Sequence, residues 1–208
     1  RRSSDLVRIY ERDEIGNFYG KRFAGFDTAG EWLFYNKKGE AVSGSKINED
    51  DLTVIGNGAP KWHLGLTNTF RYKNIDLTVG FIGKLQFDIL NRQKMAYGNK
   101  KTLRSGYNVL KSALTDGIDA SYSYSDYFLE KGDYLKLDNL TIGYTLPRNI
   151  IPLVSSARLY IAGRDLFFIT GYSGETPELD DTGLSPSMAP YARTPLTRSF
   201  TIGCNIQF

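Results

Sequence analysis

The sequence ends on RSFTIGCNIQF, residues 198–208, in which apolar and polar side chains alternate strictly. One row of side chains is apolar: Phe200, Ile202, Cys204, Ile206 and Phe208. The other row is polar or small: Ser199, Thr201, Gly203, Asn205 and Gln207. Alternation with a period of two predicts a β-strand with one apolar face. Two interpretations fit this strand alone: the closing strand of an outer-membrane barrel, or an ordinary strand of a soluble sandwich.

The composition favours an all-β protein. The 208 residues include 14 Tyr, 12 Phe and 21 Gly, and aromatic residues favour strands while glycines favour turns and close strand contacts. The net charge of +3 is too small to indicate nucleic acid as a partner. The only cysteine, Cys204, has no partner for an internal disulfide and is expected to act as a small hydrophobe. The sequence begins at Arg1 without an initiator methionine or a signal peptide with an apolar core. Either processing removed them or the sequence is a piece of a longer protein, and we expect the second.

Residues 61–85 contain the same alternation twice. The apolar row of residues 61–72 consists of Trp62, Leu64, Leu66, Phe70 and Tyr72. The apolar row of residues 75–85 consists of Ile75, Leu77, Val79, Phe81 and Gly83. The short connection Lys73-Asn74 between the two runs predicts a β-hairpin of two one-sided strands. Aromatic residues near the ends of these rows are typical of the girdles at the two interfaces of a bilayer.

Two more strands are predicted at residues 134–146 and 157–169. In the first, Leu140, Ile142 and Tyr144 share an apolar face, but Lys136 and Asp138 fall on the same row. We interpret these two charges as the part of a strand that has left the bilayer and continues into water. Short turns at residues 73–74 and 147–156 alternate with long loops at residues 86–133 and 170–197. Short periplasmic turns and long extracellular loops are the layout of a transmembrane β-barrel, so we predict an antiparallel meander of this kind.

The predicted domain organisation has two parts. Residues 1–60 are expected to form an irregular extracellular-loop region with short strands. Residues 61–208 are expected to hold the barrel strands, at 61–72, 75–85, 134–146, 157–169 and 198–208.

No residue pattern indicates an enzyme, because no nucleophile and base can be paired. His63 is the only histidine and lies on the polar row of a predicted strand, where a wall residue is expected. Glu175 and Glu178 lie in a proline-containing loop and are interpreted as solvated acidity rather than a glycosidase pair. Residues 36–51 carry four carboxylates without the alternating Asp/Asn spacing of a calcium loop: Glu40, Glu49, Asp50 and Asp51.

The long loops carry tyrosines that are candidates for contact with a ligand or a partner protein: Tyr107, Tyr122, Tyr124, Tyr127 and Tyr172. Such side chains stack against sugars or peptides. They equally serve as packing for a long loop, and the sequence leaves both alternatives open.

Five stretches, taken in order, carry a resemblance to a known family. They are FYGKRFAGF at 18–26, DLTVIGNGAP at 51–60 followed by WHLGLTNTFRYKNIDLTVGFIG at 62–83, GDYLKLDNLTIGYTLP at 132–147, LYIAGRDLFFITGYSGETPEL at 159–179, and RTPLTRSFTIGCNIQF at 193–208. Together they resemble the C-terminal region of the SusC/RagA-type TonB-dependent transporters of Bacteroidetes, and they cover most of the chain.

The resemblance implies the C-terminal part of an outer-membrane importer for oligosaccharides or peptides, working with a SusD-like surface lipoprotein. TonB would act through an N-terminal part that this sequence does not contain. The apolar rows would face outer-membrane lipid, and the polar rows would line the lumen. The candidate lumen-facing residues are His63, Arg71, Thr141, Arg158, Arg164, Asn205 and Gln207.

The sequence departs from the family pattern at Asn36-Lys37-Lys38-Gly39, where a calcium-like loop is often found. We therefore expect no calcium and no other cofactor. The alternative function is that of a soluble all-β carbohydrate-binding module. It predicts that the apolar row of residues 200–208 packs against a core, whereas a barrel strand leaves that row exposed to lipid.

Overall fold

The structure is a computed structural model that describes residues 13–115, 118–148, 150, 153–184 and 186–208. The chain divides into two compact units. The sheet unit comprises Trp62–Leu85, Asp133–Thr170 and Pro195–Phe208, and the loop unit comprises Arg1–Lys61, Gln86–Gly132 and Gly171–Thr194. This division differs from the predicted boundary after residue 60, because most of both long loops joins the N-terminal region in one compact unit.

The described residues form twelve strands and two short α-helices. The strands are β1 (Asn17–Gly20), β2 (Arg22–Phe26), β3 (Trp32–Tyr35), β4 (Ala41–Ser43), β5 (Thr53–Asn57), β6 (Trp62–Tyr72), β7 (Ile75–Leu85), β8 (Asp88–Leu90), β9 (Leu129–Lys131), β10 (Tyr134–Thr145), β11 (Ser156–Thr170) and β12 (Ser199–Gln207). The helices are α1 (Arg92–Tyr97) and α2 (Lys100–Arg104). In the part of the chain that the structure describes, no helix has the length and apolar character needed to cross a membrane.

In the sheet unit, five antiparallel strands form one meander in the order β12-β11-β10-β7-β6. Their alternating side chains and their content of Thr, Ile, Val and aromatic residues favour this extended conformation. The β6–β7 turn is fixed to the end of β10, because Asn74 Nδ2 donates to the Thr145 carbonyl oxygen at 2.7 Å. The Thr145 N–H donates in return to the Asn74 carbonyl oxygen at 2.8 Å. Three successive strands are thereby held in register at one end of the sheet.

A β-bulge at Asp138 interrupts the alternation of β10. A bulge moves the following side chains to the opposite face of a strand. Lys136 therefore lies on the polar face, while Leu135 and Leu137 continue the apolar row, and the interpretation of Lys136 as a break in that row is wrong. Lys136 is buried, and its Nζ lies 3.0 Å from Asp138 Oδ1 and 2.9 Å from Asp165 Oδ1. The charge of Lys136 is thus paired within the sheet.

The loop unit has an aromatic core of its own. Phe34 is stacked on Trp32 with ring centroids 6.1 Å apart, and Trp32 Nε1 donates to the Ser121 carbonyl oxygen at 2.8 Å. The segment 86–133, predicted as a polar connection, therefore supplies part of a folded core and carries α1, α2, β8 and β9. The buried cluster consists of Phe18, Trp32, Phe34, Leu90, Met95, Ile118, Ala120 and Phe128.

Candidate functional site

One face of the five-stranded sheet collects all seven of the candidate lumen-facing residues. Residues directly opposite each other on neighbouring strands share a face. Thr141 pairs with Thr78 of β7 and with Ala162 of β11, and Arg158 pairs with Asn205 of β12. Following these registers across the sheet places on one polar face His63, Arg71, Thr141, Arg158, Arg164, Asn205 and Gln207.

A bidentate ion pair crosses this polar face near the short turns. Arg158 Nε donates to Asp76 Oδ1 at 2.8 Å, and Arg158 Nη2 donates to Asp76 Oδ2 at 2.5 Å. Arg71 lies directly opposite Asp76 in the register of β6 and β7. Charge-assisted bonds in a bidentate arrangement are among the stronger hydrogen bonds in proteins. The pair therefore links β11 to β7 across the intervening strand and fixes the position of one candidate residue, Arg158.

Glycine makes this crossing possible. A Cβ atom at Gly143 of β10 would lie 2.3 Å from Arg158 Nη2. A Cβ atom at Gly203 of β12 would lie 2.5 Å from the Tyr160 ring in the same way. In both TIG triplets, at 141–143 and 201–203, the glycine thus leaves room for a long side chain of β11. Sequence reasoning missed Asp76 and both glycines. The available signal was an acidic residue on the polar row of residues 75–85, at the same end of the sheet as Arg158.

The opposite face of the sheet is apolar, and many of its large side chains are exposed. In the row of residues 200–208, Phe200 is 72% exposed, Ile202 83% and Phe208 86%. Exposed apolar side chains continue across the other strands, among them Trp62, Leu66, Phe70, Tyr72, Ile142, Tyr144, Leu159, Ile161 and Ile169. A soluble module predicts that these rows face a core, and this prediction is wrong.

The candidate loop tyrosines fall into two groups. Tyr107 and Tyr122 are exposed. Tyr124 and Tyr127 pack against the aromatic core of the loop unit, and Tyr172 is buried. Burial, together with the nearby carboxylates of Glu130 and Glu175, raises the pKa of Tyr172, and burial alone raises the pKa of Tyr124. Both hydroxyls therefore stay neutral.

The turn at residues 36–40 is closed by protein groups. Asn36 Oδ1 accepts hydrogen bonds from the N–H groups of Lys38 and Glu40 at 3.0 and 2.9 Å. Asp51 accepts from the N–H groups of Lys37 and Asn48, both at 2.8 Å, and these bonds hold the pKa of its carboxyl below the usual value. Within the described residues, no group of three or more His, Cys, Asp or Glu side chains is arranged to hold a metal ion.

Long antiparallel strands with one exposed apolar face and one polar face form the wall of a transmembrane β-barrel. The five strands of the sheet unit are therefore part of such a wall, and their apolar face is the face turned to lipid.

Comparison with known proteins specifies the kind of barrel. No family model matches the chain. The chain is 26% identical over 240 residues to TonB-dependent receptor P3 of Formosa agariphila, a match that covers 100% of the chain and 23% of the receptor. It is 26% identical over 188 residues to TonB-dependent receptor SusC of Bacteroides thetaiotaomicron, which covers 86% of the chain and 18% of that receptor.

Two solved structures share the fold. The RagAB peptide importer in its closed-closed state matches with a TM-score of 0.76 and 21% identity, over 100% of this chain and 25% of that chain. The RagAB peptide transporter matches with a TM-score of 0.70 and 22% identity, over 92% of this chain and 23% of that chain. The chain thus spans about a quarter or less of the length of these relatives. Their names describe receptors and transporters rather than enzymes.

The chain corresponds to the C-terminal part of a SusC/RagA-type TonB-dependent transporter and is an outer-membrane protein.

Proposed function

We propose that this chain forms part of the wall of an outer-membrane importer for oligosaccharides or peptides. The observation that carries the proposal is the two-faced sheet, in which an exposed apolar face lies opposite a face with every candidate lumen residue. In this arrangement the polar face lines the lumen along which the nutrient moves. The ion pair of Arg158 and Asp76 keeps that wall fixed, because its two residues lie on different strands.

The names of the relatives support the energy source, and the resemblance to the SusC/RagA family implies the partner. The receptors of Formosa agariphila and Bacteroides thetaiotaomicron are named as TonB-dependent, and the RagAB structures are named as a peptide importer. We extend these properties to the protein that contains this chain. TonB drives transport through a part of the protein outside this sequence, and a SusD-like lipoprotein acts at the outer surface. The loop unit is the part of this chain that meets the nutrient or the lipoprotein.

A gene disruption tests the proposal. The gene that encodes this chain is deleted in its source bacterium, and growth is measured with an oligosaccharide mixture as the only carbon source, or a peptide mixture as the only nitrogen source. We expect growth on one of the two nutrients to fail and to return when the intact gene is restored. Deletion of TonB is expected to give the same defect. Unchanged growth on both nutrients would contradict the proposed function.

The partner is tested separately. The affinity-tagged complete transporter is purified from the outer membrane in mild detergent, and co-purified proteins are identified by mass spectrometry. We expect a surface lipoprotein in stoichiometric amount. Recovery of the transporter without any lipoprotein would contradict the proposed partner and leave the import assay as the independent measure of function.

A further inference from the structure

A cavity of about 690 Å³ lies within the loop unit. Its walls come from four separate stretches of the chain: α1 with the residue before it, residues 110–112, residues 173–175 and residues 191–193. Small-molecule sites usually occupy about 300–1,000 Å³. Lys111, Ser112 and Tyr191 are exposed, so the cavity opens to solvent. Its size and its opening therefore suit a ligand of a few sugar or amino-acid units.

A polar network holds part of the cavity wall in place. Glu130 accepts hydrogen bonds from Ser173 N–H and Ser173 Oγ, both at 2.8 Å. Asn91 Nδ2 donates to Glu130 Oε1 at 3.1 Å, and Asn91 is 3% exposed. On the other side, the Leu110 N–H donates to the Tyr97 carbonyl oxygen at 2.9 Å. These bonds join Leu110 and Ser173 to α1 and the residue before it, so contacts within the protein hold these parts of the wall in place.

The charges in the wall are mainly positive. Lys94, Lys111 and Arg193 line the cavity together with a single carboxylate, that of Glu175. Lys94 lies 3.9 Å from Glu130, whose oxygens already accept the bonds from Ser173. Among the described residues, Lys111 and Arg193 form no ion pair. Arg193 Nη1 donates to the Glu178 carbonyl oxygen at 2.9 Å. The other N–H groups of its guanidinium and the ammonium of Lys111 are available to an external anion.

Two aromatic side chains flank these cations. Tyr97 and Tyr191 both line the cavity. The guanidinium of Arg92 lies 3.9 Å from the centroid of the Tyr191 ring and supports it from outside the cavity lining. An aromatic ring beside a cation offers an apolar surface for the body of a ligand and a charge for its anionic group. This combination favours an anionic oligomer over a free inorganic ion.

We propose that this cavity binds a carboxylate carried by the imported oligomer, with Lys111 and Arg193 as its charge partners and Tyr97 and Tyr191 as its walls. The proposal rests on the proposed import function and gives it a substrate class, that of acidic oligomers. A carboxylate has two sources among the imported nutrients: a uronic acid of an oligosaccharide or an acidic side chain of a peptide. Both present the same group to the same cations.

Calorimetric titration of the complete, purified transporter tests the assignment. The probes are trigalacturonate and triglutamate, each matched with a neutral counterpart, maltotriose and triglutamine. We expect one acidic probe to bind at least about tenfold more tightly than its neutral counterpart, since hydrogen bonds between charged groups are worth about one decade in affinity. The acidic probe that binds identifies the source of the carboxylate.

The charge of Lys111 is tested by Lys111→Glu, because Lys111 is exposed and its side chain forms no hydrogen bond or ion pair among the described residues. We expect Lys111→Glu to reduce the affinity for the acidic probe by about tenfold or more and Lys111→Gln to reduce it less. Lys46→Glu is the matched control, since Lys46 is an exposed lysine of the same unit outside the cavity lining. Its effect on binding is expected to be less than about twofold, because exposed charges farther apart than about 8–10 Å are screened by salt.

Two outcomes would overturn the assignment: acidic probes that bind no better than neutral ones, or equal losses from Lys111→Glu and Lys46→Glu. If either occurs while gene deletion still abolishes growth on a nutrient, the cavity assignment fails and the import function stands. If deletion leaves growth intact, the import function fails whatever the probes show.

Discussion

The sheet unit and the loop unit use apolar side chains in opposite ways. In the loop unit, Phe18 and Phe34 are completely buried in a core that the chain builds for itself. In the sheet unit, Phe200 and Ile202 are 72% and 83% exposed. The difference shows that the loop unit is suited to water and the sheet unit to lipid. Water drives the loop unit to bury its aromatic residues, whereas lipid supplies the apolar partner for the sheet.

The largest expected effect comes from removing a ring from the buried core. Phe34→Ala in the complete transporter is expected to destabilise the loop unit by about 3–5 kcal/mol. Removing a buried ring loses its transfer free energy and creates a cavity. Hydrogen exchange of the segment 17–57 in detergent-solubilised transporter measures the loss. Phe200→Ala makes the same chemical change on the lipid face and is expected to leave that exchange unchanged. Equal loss of protection from both variants would contradict the separation of the two units.

The second effect tests the solvent of the sheet itself. Ile202→Arg is expected to destabilise the transporter in lipid vesicles by about 2–4 kcal/mol if the side chain lies near the midplane, and less toward an interface. Thr201→Arg adds the same charge one residue earlier, on the polar face, and is expected to cost much less. Guanidinium unfolding of the vesicle-bound protein, followed by tryptophan fluorescence, compares the two. A larger loss from Thr201→Arg would reverse the assignment of the two faces.

The two units also differ in how far the sequence predicted them. Alternation was sufficient to predict the sheet. In a strand every second side chain lies on the same face, so the sequence shows directly which side chains share a face. The strands of the sheet begin and end within about one residue of the predicted spans, a small uncertainty for strand ends. The failure came at Asp138, where one extra residue reverses the alternation and moves Lys136 to the other face. The pattern did contain a sign of the bulge, because Leu135 and Leu137 keep a clean alternation of their own.

The loop unit was beyond such reasoning because its contacts are distant in sequence. Trp32 is hydrogen-bonded to Ser121, and Phe23 N–H donates to Asp126 Oδ1 at 2.7 Å, across 103 residues. No local period reports contacts of that kind. The cavity was missed for the same reason, since its walls come from four separate stretches. The sequence had left two roles open for Tyr124, Tyr127 and Tyr172. In the structure, Tyr124 and Tyr127 pack partly buried against the core of the unit, and Tyr172 is buried.

A smaller effect is expected within the polar face. Gly143→Ala places a Cβ atom where the Arg158 guanidinium lies, so the bidentate pair with Asp76 has to shift. Overpacking of this kind costs about 1–3 kcal/mol. Gly65→Ala on β6 is the matched control, because a Cβ atom there meets no other atom within 4 Å. The denaturant midpoint of the transporter in vesicles is expected to fall for Gly143→Ala and not for Gly65→Ala. A comparable fall for both variants would exclude the displaced ion pair as the cause of the destabilisation.

The smallest expected effect is a pH dependence at the surface of the loop unit. Hydrogen bonds from the N–H groups of Asn48 and Lys37 lower the folded pKa of Asp51 from its ordinary value of 3.8. A lowered pKa stabilises the folded state above the unfolded pKa, and this stabilisation is lost as the pH falls through the lower, folded value. Protection of the segment 36–52 from hydrogen exchange, corrected for the intrinsic rate, is therefore expected to hold above pH 3.8 and to decline below it. Asp51→Asn is expected to reduce protection at neutral pH and to flatten the profile. Asp50→Asn, at an exposed neighbour, is expected to preserve both, and an equal response of the two variants would show that Asp51 does not secure this turn.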